Sequence, residues 1–150
     1  MEIKEFYQTA DREYWLEQIQ KSDWEAGQFL YQLLKTGKAK EFLGETTRVY
    51  LLMDDKKLVA FCTLSEDDDV RDSGLGPWIG FVYTYPEYRG HRYIKNLLDY
   101  AYQTAKSDGA KYIYISTGHT GLYEKYRYSF HTMMKDMNGD DSRIYRIEVK

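Results

Sequence analysis

The sequence predicts a single mixed α/β domain over 1–150, with a central, mostly antiparallel sheet, one parallel strand pair and helices on both faces. Three observations carry this. Strand-like and helix-like segments follow one another in the order β-α-α-β-β-β-α-β-α-β-β. A long helical pattern joins two strands in the second half, and parallel strands need such a crossover. Short polar turns join other neighbouring strands, as antiparallel hairpins require.

Each element has its own signal. EIKEF alternates and reads as a short first strand. Thr9 and Asp11 precede REYWLEQIQK, in which Trp15, Leu16 and Ile19 share a helical face. Ser22 or Asp23 is placed to cap a second helix, with Trp24, Phe29, Leu30, Leu33 and Leu34 turned inward and Gly37 at its end. RVYLLM and KLVAFCTL flank Asp54-Asp55-Lys56 as a hairpin. SEDDDVRDSGLGP is polar and glycine-bearing, hence a loop; its run from Ser65 to Asp69 is either a solvated stretch or an acidic rim that attracts a cation. PWIGFVYTY is a strand ended by Pro86. Helical spacing then runs from Arg89 to Ser107, with Ile94, Leu97, Leu98, Ala101 and Ala105 as the apolar stripe and Asp108-Gly109 as the stop. KYIYIST is the next strand, GLYEKYRY a short helix, and SFHTMMKDM and SRIYRIEV a last strand pair around Asn138-Gly139-Asp140-Asp141.

Composition narrows the function. With 150 residues, 43% of them hydrophobic, the chain can bury a core and is not disordered. A formal charge of −3 argues against a broad nucleic-acid face, which makes the local cluster Arg89-Gly90-His91-Arg92 more informative than the total. Cys62 is the only cysteine, so an internal disulfide and a multi-cysteine zinc site are excluded, and its place in an apolar strand reads as a buried thiol. No metal site is expected. No apolar run approaches a membrane span and MEIKEFYQTA has no leader character, so no membrane partner and a cytoplasmic location are expected.

The chemistry-bearing stretch is VYTYPEYRGHRYI, an apolar strand that runs into a helix start. The first turn of a helix leaves backbone N–H groups unpaired and carries positive potential, so it is a ready site for a pyrophosphate. Gly90 permits close approach, while Arg89, His91 and Arg92 add donors and charge. One strand later comes GLYEKYRYSF. Together these segments resemble the GNAT superfamily of N-acetyltransferases. In that family a strand ending in hydrophobic-x-x-Pro leads to an Arg/Gln-x-x-Gly-x-Gly/Ala turn, a long helix, and later a Leu-Tyr-Glu-Lys-x-Gly-Phe segment. Arg89 matches the first position of the turn; Arg92 replaces its first glycine and Ile94 its second small residue. Arg127 and Tyr128 replace the later glycine and phenylalanine. A helical backbone at Arg92 and Ile94 would not itself require glycine.

The resemblance implies the acyl-CoA N-acyltransferase fold, with its parallel pair splayed, and direct transfer of acetyl from acetyl-CoA, as co-substrate, to a primary amine of a small molecule or peptide. It implies that the pantetheine arm pairs with Val82, Tyr83 and Thr84. The pyrophosphate is expected on the turn, at Arg89 and along Gly90, His91, Arg92, Tyr93, Ile94 and Lys95. Ser116 and Thr117 fall where relatives contact the cofactor through an asparagine. Tyr123 takes the position of the acid that protonates the leaving thiolate, or is a core tyrosine with a satisfied hydroxyl. His119 suits a general base by its ionisation range, and equally a wall of the cofactor pocket or a surface position. A homodimer, with C-terminal strands pairing between chains, is open. Two other readings stay beside the enzyme: a silent acyl-CoA-binding or regulatory module, and an unrelated α/β phosphate-binding domain.

Overall fold

The computed structural model describes residues 1–150. In chain order its elements are β1 (Glu2–Glu5), a 3-10 turn (Phe6–Gln8), α1 (Arg12–Gln20), α2 (Glu25–Lys35), α3 (Ala39–Leu43), β2 (Arg48–Asp54), β3 (Lys57–Ser65) and β4 (Trp78–Thr84). A second 3-10 turn (Pro86–Tyr88), α4 (Ile94–Ser107), β5 (Tyr112–Thr117), a third 3-10 turn (Tyr123–Tyr126), β6 (Ser129–Lys135) and β7 (Asp141–Glu148) complete the chain. All seven strands form one sheet in the order β1-β2-β3-β4-β5-β7-β6. Only β4 and β5 run parallel, and α4 is the crossover between them.

Both faces of the sheet are covered, which is why β2 and β3 read as nearly unbroken apolar runs. Side chains still alternate between faces. Tyr50, Leu52, Cys62, Leu64, Ile79, Ile113 and Ile115 pack under Leu97, Leu98, Ala101 and Ala105 of α4. Val49, Leu51, Met53 and Phe61 pack against Trp15 and Ile19 of α1 and Leu30, Leu33 and Leu34 of α2. Each fully buried aliphatic side chain contributes about 1.5–3 kcal/mol, so the two layers hold the sheet between them. Cys62 is fully buried and its thiol is pushed up to about 12 by that burial, so it packs and does not react. No helix is long and apolar enough to cross a membrane.

Four local features depart from the sequence reading. Trp24, not Ser22 or Asp23, is the cap residue of α2, and no side chain caps that helix; Asp23 is engaged with Tyr83 instead. The five-residue helix α3 carries too little periodicity to announce itself. The segment GLYEKYRY forms a single 3-10 turn. Helix α4 begins at Ile94, not at Arg89, because Gly90 and Arg92 both have positive φ (87° and 57°) and break any regular helix before it.

Arg127 closes the third 3-10 turn in the left-handed conformation, φ 73° and ψ 14°. Its N–H donates to the Glu124 carbonyl (3.2 Å), and the next N–H, of Tyr128, to the Tyr123 carbonyl (3.2 Å). The turn therefore requires this conformation of whatever residue stands there. A non-glycine residue is strained by about 1–2 kcal/mol, partly offset by the ~0.5–1 kcal/mol that glycine loses in backbone entropy. Arg127→Gly is expected to raise Tm by about 1–2 °C in a thermal melt, with the fold unchanged.

Candidate functional site

The site begins with a defect in β4. Between the pairs Phe61–Tyr83 and Thr63–Gly80, β4 carries one residue more than β3, a β-bulge. Phe81 sits in it at φ 51°, a conformation costly for a bulky side chain and characteristic of functional positions. Toward β5, β4 is paired only at Trp78–Tyr114. Beyond that bridge the two parallel strands diverge, and Val82, Tyr83 and Thr84 have no strand partner on that side.

The turn after β4 supplies the donors. The N–H groups of Gly90, His91, Arg92, Tyr93 and Ile94 bond to no protein acceptor, whereas that of Lys95 is taken by the Arg92 carbonyl (3.0 Å). Arg92 is left-handed and Tyr93 right-handed (φ −62°, ψ −24°), an alternation that turns successive N–H groups toward one concavity suited to an anion. Glycine poverty has not removed the donors; Arg92 adopts the glycine-like conformation itself. Its side chain is exposed and unpaired, and Ile94 is half-buried. The His91 ring stacks on Tyr93 (5.3 Å), and the Lys95 ammonium pairs with Asp99 (2.7 Å).

Arg89 has a different job. Its Nε donates to the Thr84 carbonyl (2.9 Å), and its Nη2 lies 3.8 Å from Asp23, over the Tyr83 ring. Tyr83 donates its hydroxyl to the same Asp23 carboxylate, and Trp24 stacks on the Tyr83 ring (5.5 Å). One node thus ties the end of β4, the turn and the α1–α2 connection together.

Tyr123 is 6% exposed and belongs to the core on the α4 side of the sheet. Its hydroxyl has no protein partner and, unlike that of Tyr128, is not sealed from outside. Tyr123 is thus a core residue whose hydroxyl is held by no other side chain or backbone group. Burial, then the nearby Cys62, raises its pKa, so the phenol stays protonated and able to donate. His119 is exposed in the preceding loop, where its backbone N–H bonds Thr117 Oγ1 (3.0 Å). Ser116 shares its hydroxyl with Ser142 of β7 (2.6 Å). Beside the first turn of α4 lies an open groove of about 840 Å³ in which Lys95, Lys125, Arg127, Arg146 and Lys150 outnumber Asp99 and Glu148.

Two features were missed in the sequence. Phe81 gave no sign of its conformation, since a bulge depends on pairing with β3. Asp68 stands in a run of three aspartates that reads as solvated, yet it is 7% exposed. The apolar Val70 two residues on, 3% exposed, is the one hint that this loop folds inward.

The family model described as "Acetyltransferase (GNAT) family" matches residues 3–128. No curated protein sequence matches the chain. Among solved structures, the aminoglycoside 6'-N-acetyltransferase from Enterococcus faecium superposes with a TM-score of 0.71 at 15% identity, covering 100% of this chain and 98% of that one. A GNAT family acetyltransferase from Elizabethkingia anophelis with acetyl-CoA bound gives 0.67 at 17% identity, covering 98% and 97%. An acetyltransferase from Streptococcus agalactiae gives 0.65 at 19%, with the same coverage. At these identities the structures establish a shared fold.

The two arginines of the turn separate by experiment. Arg89→Ala is expected to lower stability by about 0.5–1 kcal/mol, because it removes the hydrogen bond to the Thr84 carbonyl and the exposed ion pair with Asp23, which keeps its bond from Tyr83. Arg92→Gly is expected to leave stability equal or higher. Urea unfolding of the two variants measures both.

Proposed function

The chain belongs to the acetyltransferase (GNAT) family, whose co-substrate is acetyl-CoA, and from that premise we propose that it transfers acetyl to a primary amine of a small molecule or peptide by direct attack. The observation that carries the reading is a conjunction: five free N–H groups at the end of a strand that parts from its neighbour, and an unpartnered, protonated tyrosine hydroxyl in the core beneath. In this reading Val82 to Thr84 pair with the pantetheine amides, and Gly90 to Ile94 hold the pyrophosphate. Arg92, free and exposed, lies along a phosphate. The basic groove beside α4 suits the remaining phosphate charge of the cofactor.

The amine must be neutral to attack the thioester carbonyl. As the C–N bond forms and the C–S bond breaks, charge develops on sulfur, and Tyr123 donates its proton there. Its raised pKa keeps this acid charged with a proton beyond pH 10. His119, exposed and turned to no acceptor, serves this reading better as a border of the cofactor than as its base. The aminoglycoside-modifying neighbour makes aminoglycosides one acceptor class to try beside alkylamines and peptides.

Saturating acetyl-CoA, at about 100 times its Kd, is expected to stabilise the protein by ~2.7 kcal/mol and so raise Tm by about 5–10 °C. Absence of any shift sinks the reading. Tyr123→Phe is expected to lower kcat about 100-fold while Kd for acetyl-CoA changes less than about twofold, read by thiol release and by calorimetry. Binding without thiol release from any amine would turn the assignment to a silent acyl-CoA-binding module.

A further inference from the structure

Three unpartnered or missing groups meet at one point on the face of the sheet opposite α4. Asp68 Oδ1 is buried and bonds to nothing in the protein. Thr63 Oγ1, on a residue with no exposure at all, is also without a partner. Both close around Gly80: a Cβ there would collide with Asp68 Oδ1 and stand 3.2 Å from Thr63 Oγ1. Gly80 lies between Trp78, the last β4 residue paired with β5, and the bulged Phe81.

The arrangement is held in place. Asp67 donates its N–H to the Leu43 carbonyl (2.9 Å), Met137 donates to the Asp69 carbonyl (2.7 Å), and Ser65 Oγ donates to the Asp67 carbonyl (2.8 Å). Arg71, whose charge favours the ionised form, makes no hydrogen bond to the carboxylate: it donates to the backbone carbonyl of Asp68 (3.2 Å) and lies over the Phe42 ring (4.3 Å). A buried carboxylate oxygen without a donor is costly, and its place beside a strained strand marks a functional position. What is missing is a group with N–H donors and positive charge.

Resting on the acetyltransferase reading, we propose that Asp68, with Thr63 beside it, receives the acceptor's ammonium group and takes its proton before attack. The acceptor then approaches on the α1–α2 side of the β4–β5 gap, while the leaving sulfur faces Tyr123 on the α4 side. The protons balance. The ammonium gives one proton to Asp68, which passes it to solvent. The neutral nitrogen bonds to the carbonyl carbon, and the C–S electrons leave on sulfur, which takes the Tyr123 proton. The second proton of the adduct nitrogen restores Tyr123.

Burial, reinforced by the charge of Asp69, raises the Asp68 pKa far above the carboxylate range, toward that of a base useful near neutral pH. The groups around it are Asp69 and Arg71 of its own loop and Tyr123, which feels its charge; β3 and β4 face it with Thr63 and Gly80. Since the ionised form is the base, transfer to a cationic amine rises with pH as Asp68 loses its proton.

The test measures thiol release from acetyl-CoA by wild type, Asp68→Asn and Thr63→Val. The acceptors are an aminoglycoside, an alkyldiamine, a lysyl peptide and hydroxylamine, which is already neutral at pH 7. Asp68→Asn is expected to lose at least about 100-fold in kcat/KM with the cationic amine that wild type uses, and less than about tenfold with hydroxylamine above its uncatalysed rate. Its affinity for acetyl-CoA should stay within about twofold, and its rise in rate with pH should flatten. Thr63→Val should raise the amine KM several-fold with kcat nearly kept. Equal losses with both kinds of acceptor, or no loss, overturn the assignment of Asp68 and leave the acetyltransferase reading intact. A wild-type protein that binds no acetyl-CoA, or acetylates no amine, overturns both.

Discussion

The single bridge between β4 and β5 is the constraint on which the rest of the structure depends. Two parallel strands joined at Trp78 and Tyr114 alone are a weak pair. They stay in one sheet because β3 holds β4 on one side, β7 holds β5 on the other, and α4 packs across both. The bulge at Phe81 follows three residues after the last bridge, in the part of β4 that has left β5. A fully zipped pair would occupy the backbone edge of Val82, Tyr83 and Thr84 that the parting leaves without a strand partner. The strain at Phe81, of order 1–3 kcal/mol, is sustained by the packing on either side of it.

The turn that follows shows a second way of meeting a backbone requirement. Arg92 and Arg127 occupy left-handed conformations where glycine would be relaxed. Each costs about 1–2 kcal/mol, and each is fixed from outside: Arg127 by two turn hydrogen bonds, Arg92 by the helix that starts two residues later. In return the turn keeps its five donors and gains an exposed, unpaired guanidinium at Arg92. The neighbouring Arg89 is spent on Asp23, Tyr83 and Thr84, so the turn is braced against the α1–α2 connection. The two arginines of one short segment thus differ in kind, one tethered and one free.

Much of this was legible in residue order. The strand-to-helix passage at VYTYPEYRGHRYI and the segment GLYEKYRY located the turn and Tyr123 because both depend on local patterns. The order of strand-like and helix-like segments marked a mixed sheet with helices on its faces. What stayed hidden depends on distant contacts. The bulge is a mismatch between β3 and β4, and no property of Phe81 alone signals it. Asp23 looked like a helix cap because its carboxylate suits that role, but a phenol sixty residues away competes for it. Asp68 looked solvated because its neighbours are acidic, and only the absence of a side chain at Gly80 makes room for it against the sheet.

Tyr123 and Asp68 owe their protonation states to the same cause. Burial disfavours charge on each, so the empty protein holds a neutral phenol on one face of the sheet and a carboxyl group drawn toward neutrality on the other. In the proposed reaction the neutral phenol is the working state, since an acid must hold its proton until sulfur needs it. For the carboxyl group it is only the resting state. An arriving ammonium supplies the opposite charge that burial withholds, stabilises the carboxylate and makes it a base at the moment an amine is present. As the ammonium gives up its proton, that charge disappears and the carboxyl group returns to neutrality. The cost of desolvation, which destabilises Asp68 in the empty protein, thereby becomes the force that moves the proton off the acceptor.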